Sequence, residues 1–114
     1  RNLLGVDIEE GVIAIAAPVE RGDHLMFVSR DANTAQKDLA EMVAGLKKRS
    51  GNNLKGGIYI SCIARGPHMF GEANAEMKII ESILDNIPII GLYANGEISN
   101  NRLYSYTGVL TLFT

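Results

Sequence analysis

Apolar and polar positions along the chain follow two periods. Short apolar runs at Leu3–Ile8, Val12–Ala16, Leu25–Val28, Gly57–Ser61 and Ile89–Tyr93 have the length and β-branched content of strands. Helical spacing occurs twice. Ala35, Leu39, Met42, Val43 and Leu46 share one face of a helix opening at Asn33. Ala73, Met77, Ile80, Leu84 and Ile87 do the same until Pro88 ends the pattern. Tyr104, Tyr106, Leu110 and Leu112 alternate between Leu103 and Phe113, which predicts a long final strand with Gly108 as a bulge.

Local signals place the element ends. Asn33 is a good N-cap, and Gln36 three residues later completes a capping-box pattern. Lys47, Lys48 and Arg49 sit where the negative end of the helix dipole favours cations, and Gly51 is the expected stop. Glu9-Glu10-Gly11 reads as a hairpin turn, with Gly11 supplying a positive φ. Asn95-Gly96 is a type I′ hairpin signal, and Asn100-Asn101 is a second turn candidate. The first three strands are expected to form an antiparallel meander. Ala14, Ala16 and Ala17 predict that something packs closely over the second strand, most simply a helix.

The expected fold class is therefore α+β. A mixed sheet in the order βββαβαβββ carries two packed helices within a single domain, residues 1–114. The two strand–helix–strand connections are expected to be right-handed crossovers between parallel strands. Three loops then meet at one sheet edge, where ligands of such sheets bind: Ser29-Arg30-Asp31, Cys62 to Gly71, and Asn95-Gly96-Glu97.

The Cys62–Gly71 loop concentrates the candidate chemistry. Gly66 and Gly71 permit backbone conformations closed to other residues. The loop leads into a helix N-terminus, and Arg65 adds a positive charge, so the simplest chemical reading is a pocket for a small anion. The alternative is a plain strand-to-helix turn. The loop is neither GxxxxGK[ST] nor GxGxxG, so neither a P-loop nor a dinucleotide fingerprint is present.

Composition narrows the partners. A 114-residue chain with 46% apolar and 21% charged residues suits one globular domain. Its net charge of −2 leaves no electrostatic footprint for nucleic acid, and it has no apolar run long enough for a membrane helix. A lone cysteine excludes an internal disulfide and suits a reducing, cytoplasmic location. The chain starts at Arg1 rather than methionine, and is read as a piece excised from a longer protein.

Three motifs carry a family resemblance. Ser61-Cys62-Ile63-Ala64-Arg65-Gly66-Pro67-His68-Met69-Phe70-Gly71 is the first. Pro88-Ile89-Ile90-Gly91-Leu92-Tyr93-Ala94-Asn95-Gly96-Glu97-Ile98 is the second, and Tyr106-Thr107-Gly108-Val109-Leu110-Thr111-Leu112-Phe113 the third. With Arg1–Asp7 and Ser29–Ala32, they resemble the C-terminal domain of the FIST family, the F-box and intracellular signal transduction proteins. Ala64 stands where the family usually has glycine, and Met69 where it has leucine. The resemblance implies a small-molecule-sensing domain, with amino acids or similar small carboxylates as ligands. It also implies an N-terminal FIST half of the same protein and a signalling output domain as partners. It implies Cys62, Arg65, Gly66, Gly71, Asn95, Gly96 and Glu97 as ligand-binding positions, with Arg65 holding a carboxylate and Glu97 an ammonium group. An apolar surface bared by excision would favour a homodimer.

Three other readings stand beside this one. Catalysis would make Cys62 the nucleophile and His68 or Glu97 its base, but no third orienting group is evident, so no enzyme and no catalytic residue are expected. His24, His68 and Cys62 lack metal-ligand spacing, so neither a metal nor another cofactor is expected. A protein-interaction or structural module without its own ligand is the main alternative, with Arg65 and Glu97 as an internal ion pair.

Overall fold

The computed structural model describes residues 2–51 and 53–114. Arg1, and the side chain of His68, lie outside that description. Strands β1 (Leu3–Asp7) and β2 (Val12–Ile15) pair antiparallel. Their turn is the one expected: Asp7 Oδ1 accepts the N–H groups of Glu9 and Glu10 at 3.0 Å, and Gly11 takes φ +66°. The meander stops there. Leu25–Val28 joins no ladder, and Met26, Phe27 and Val28 are exposed. Strand-like composition describes a surface that fits a sheet, and a strand still needs a neighbour to pair with. Ala14 and Ala16 are likewise exposed, so no helix covers β2.

Helix α1 (Ala32–Ser50) begins two residues earlier than its capping-box pattern predicts. Asp31, not Asn33, is the N-cap, and its Oδ1 accepts the Thr34 N–H at 3.0 Å. A carboxylate gains from the positive helix end where an amide does not. Gly51 ends the helix at φ +70°, its N–H bonded to the Lys47 carbonyl.

The central sheet follows. Strand β3 (Gly56–Cys62) leads into a 3₁₀ turn (Ile63–Arg65), a short helix α2 (Pro67–Phe70) and helix α3 (Ala75–Ile83). Strand β4 (Ile89–Ala94) pairs parallel with β3, and β7 (Gly108–Phe113) pairs antiparallel on its other side. The sheet order is β4-β3-β7, a mixed sheet as expected. The parallel set has two strands rather than three, because Leu25–Val28 stays out.

Between β4 and β7, β5 (Glu97–Ser99) and β6 (Arg102–Tyr104) form a separate hairpin. Its turn is Asn100-Asn101, both at positive φ, so the second turn candidate makes the hairpin. Asn95-Gly96 instead links β4 to β5, which are not paired. The long final strand is broken by Tyr106, which takes φ +61°. Helices α1, α2 and α3 cover one sheet face. Leu39, Val43, Tyr59, Phe70, Ile80 and Leu84 form the core between them. Among the described residues no helix is long and apolar enough to cross a membrane.

Candidate functional site

Alternation along β3 turns Tyr59 and Ser61 toward the helices. Residue Glu76, in the first turn of α3, points back at them and is only 5% exposed. Tyr59 Oη donates to Glu76 Oε1 at 2.6 Å, and Ser61 Oγ donates to Oε2 at 2.8 Å. The 3₁₀ turn after Cys62 folds the chain back, so Arg65 Nε donates to Oε1 at 2.9 Å. A buried carboxylate is costly alone, but three donors, one of them cationic, and a helix N-terminus offset that cost. Burial, then the hydrogen bond to Glu76 and its charge, push the Tyr59 phenol above its ordinary range, so it stays a neutral donor. Gly108 completes the fit: a Cβ there would lie 2.5 Å from Tyr59 Oη.

Arg65 is thus held from one side. Its guanidinium lies 5.1 Å from the Phe70 ring centre, and Nη1 is 3.5 Å from the Tyr106 carbonyl. Arg30 stacks on the Tyr106 ring at 3.8 Å. Tyr106 is an aromatic residue in the left-handed region, a costly backbone held by its surroundings. Arg30, Arg65 and Tyr106, with Asp31, Thr34, Asp38 and Met69, wall an open cleft of about 190 Å3. Thr34 hydrogen bonds hold the Asp31 carboxyl below its ordinary value, so it carries charge at neutral pH. The cleft therefore presents both signs of charge beside an aromatic ring. A second cleft of about 130 Å3, on the α3–β4 side, is walled by Tyr59, Ser61, Glu76, Met77 and Gly91.

Residues 1–100 match the family model of the FIST C domain. The chain belongs to the FIST C domain family. This is a domain associated with signal transduction. Uncharacterized protein Rv0628c of Mycobacterium tuberculosis (strain ATCC 25618 / H37Rv) is 37% identical over 117 aligned residues, covering 99% of this chain and 30% of the relative. Uncharacterized protein Mb0898c of Mycobacterium bovis (strain ATCC BAA-935 / AF2122/97) matches with the same identity and coverage. The chain thus spans about a third of the length of these relatives. No solved structure matches it significantly.

Within this FIST C domain the signature positions separate. Cys62 is 1% exposed, and its N–H donates to the Thr107 carbonyl at 2.9 Å. Gly66 is buried, and its carbonyl accepts the Met69 and Phe70 N–H groups. Gly71, at φ +89°, ends α2 with its N–H on the Pro67 carbonyl. Asn95 is exposed. Gly96, at φ +146°, passes so close to the Tyr104 carbonyl that a Cβ would lie 2.5 Å from it. Glu97 pairs with Thr107, whose hydroxyl donates to Oε2, and its Oε1 is buried with no partner among the described residues. Arg65 and Glu97 are therefore not the ion pair weighed above: Glu76 takes the guanidinium, and Glu97 lies outside the Arg65 cleft wall. Sequence reasoning missed Glu76, Tyr59 and Ser61. Two signals were available: Glu76 stands four residues before Ile80 on the buried face of α3, and Tyr59 and Ser61 share one face of β3.

Proposed function

We propose that this FIST C domain senses a small carboxylate ligand, amino acids foremost, for an intracellular signal transduction protein. One observation carries the reading: Arg30 and Arg65 meet across Tyr106 on the wall of a single cleft. A guanidinium held rigid from behind is suited to a carboxylate, because little side-chain freedom is left to lose on binding. Asp31 and Asp38 on the same wall offer an ammonium group its partner. They take the part first assigned to Glu97. The reading is non-catalytic, and the burial of Cys62, 1% exposed, favours it.

Thermal unfolding against a panel of amino acids and simple carboxylates tests it. A ligand at a hundred times its dissociation constant adds about 2.7 kcal/mol of stability. Arg30→Gln should abolish that gain without touching the buried cluster, whereas Arg65→Gln would unbalance Glu76 as well. A panel that gives no dose-dependent shift counts against the sensor. It would favour the second reading, an interaction module in which Arg65 is structural, and the Arg65–Glu76 pair is the observation on that side.

A further inference from the structure

The three-stranded sheet has two faces, and this chain covers one. Ladder register places Tyr59, Gly91 and Leu110 toward the helices and Ile58, Ile60, Ile90, Leu92, Val109 and Phe113 on the other side. Thr111 is the sole polar side chain among those strand positions facing away from the helices. Ile90 is 69% exposed and Leu92 56%, with Val109 and Phe113 close to half. A sheet with one face in water alternates apolar inside with polar outside, whereas a sheet apolar on both faces is covered on both. The strands here have the second pattern in the first situation. The edge strands β4 and β7 also carry no charged residue, the usual device for blunting a sheet edge.

The chain's own hairpins do not supply the cover. Strand β1 is exposed along its whole length, as is Leu25–Val28. The radius of gyration is 17.6 Å and the extents 58 × 31 × 22 Å, whereas a compact chain of this length has a radius near 13 Å, by order of magnitude.

We infer that the bare sheet face is an interface, and that its occupant is the additional polypeptide of the longer FIST C proteins, packed on it as a second apolar layer. The relatives share 37% identity over 99% of this chain, yet the match takes up only 30% of their length, so most of each polypeptide lies beyond it. A second copy of this chain is the rival occupant. A two-fold contact through the sheet covers that face once and leaves β1, β2 and Leu25–Val28 bare. A long polypeptide covers separated patches. The inference is independent of the ligand reading, since none of these side chains walls the Arg30–Arg65 cleft.

Maleimide labelling of Leu92→Cys tests it, with peptide mapping to separate the new thiol from Cys62. The 114-residue chain should label quickly and at a rate independent of protein concentration. The same chain fused to the flanking polypeptide of Rv0628c should label at least about tenfold more slowly there, while Lys37→Cys on the open side of α1 labels equally in both. Equal labelling of Leu92→Cys in the two forms overturns the inference. So does protection that grows with concentration in the short chain, which identifies a second copy instead. Because the hybrid can fail to fold, hydrogen exchange on natural full-length Rv0628c and on its own matching segment gives the second reading. Stronger protection of the strands equivalent to β4 and β7 in the full-length protein supports the interface, and equal protection overturns it.

Discussion

Replacing Glu76 with Gln keeps the shape of the side chain and removes its charge. The site has little water to compensate: Glu76 is 5% exposed, and the Arg65 side chain 14%. The amide retains one acceptor oxygen where three donors now converge, and Arg65 is left buried without a counter-ion. Breaking a buried pair from one side costs about 3–5 kcal/mol. Arg65 keeps the Tyr106 carbonyl nearby and some solvent, which points to the lower end, about 3 kcal/mol. For a chain of this length the unfolding entropy is about 0.24 kcal/mol/K, so Tm should fall by roughly 12 °C. Arg65→Met alone should destabilise by a comparable amount. The double variant Arg65→Met/Glu76→Gln should recover about 2 kcal/mol relative to the sum of the singles, since it buries no charge. Urea unfolding of the four proteins measures the cycle. A Glu76→Gln effect under about 0.5 kcal/mol, or a strictly additive cycle, would refute the claim that a desolvated charge pair organises the site.

Three further outcomes follow from neighbouring geometry. The Tyr59 pKa is raised above its ordinary 10.0 by burial and by Glu76, so the stability it supplies is complete below about pH 10 and is lost as pH rises beyond; Tyr59→Phe should flatten the loss of unfolding free energy above that pH, and near-ultraviolet titration should show one of four tyrosines ionising only on unfolding. Gly108→Ala places a methyl 2.5 Å from Tyr59 Oη and should destabilise by about 1–3 kcal/mol while reproducing the Tyr59→Phe alkaline profile. Asp31→Ala removes the α1 N-cap; because that carboxyl titrates below its usual 3.8, its contribution is complete above that pH and fades as pH falls. Faster hydrogen exchange at the Thr34 amide in Asp31→Ala at neutral pH, converging with the parent in acid, checks it.

The elements legible in the sequence are those whose signal is local and repeated. Helix α1 is marked along 19 residues by its apolar face and its basic end, and β3 and β4 by dense β-branched runs. The failures are choices between near-equal local signals. Asp31 and Asn33 are both good caps, and charge decides. Asn95-Gly96 and Asn100-Asn101 are both good turns, and pairing between β5 and β6 decides. Leu25–Val28 has strand composition, but its fate rests on a partner distant in sequence. The break at Tyr106 has no local signal, since nothing in an aromatic residue favours φ +61°.

The site divides along the same line. Arg65 is legible because a strand, a short loop and a glycine place it near the sheet edge. Its partner is not, because Glu76 and Glu97 are both acidic and both reachable, and only the packed direction of α3 selects Glu76. Yet Ile89-Ile90-Gly91-Leu92-Tyr93 does carry information beyond its own chain. A strand built for one covered face alternates, and this one does not. Its helix-facing side is accounted for, as Gly91 lets Met77 Sδ approach to where a Cβ would meet it at 3.5 Å. Ile90 and Leu92 have no such counterpart. Continuous apolarity in a strand that is half bare therefore specifies a layer that these residues do not themselves provide, and replacing Leu92 with Lys should raise the solubility of the 114-residue chain while weakening the longer proteins that pack against it.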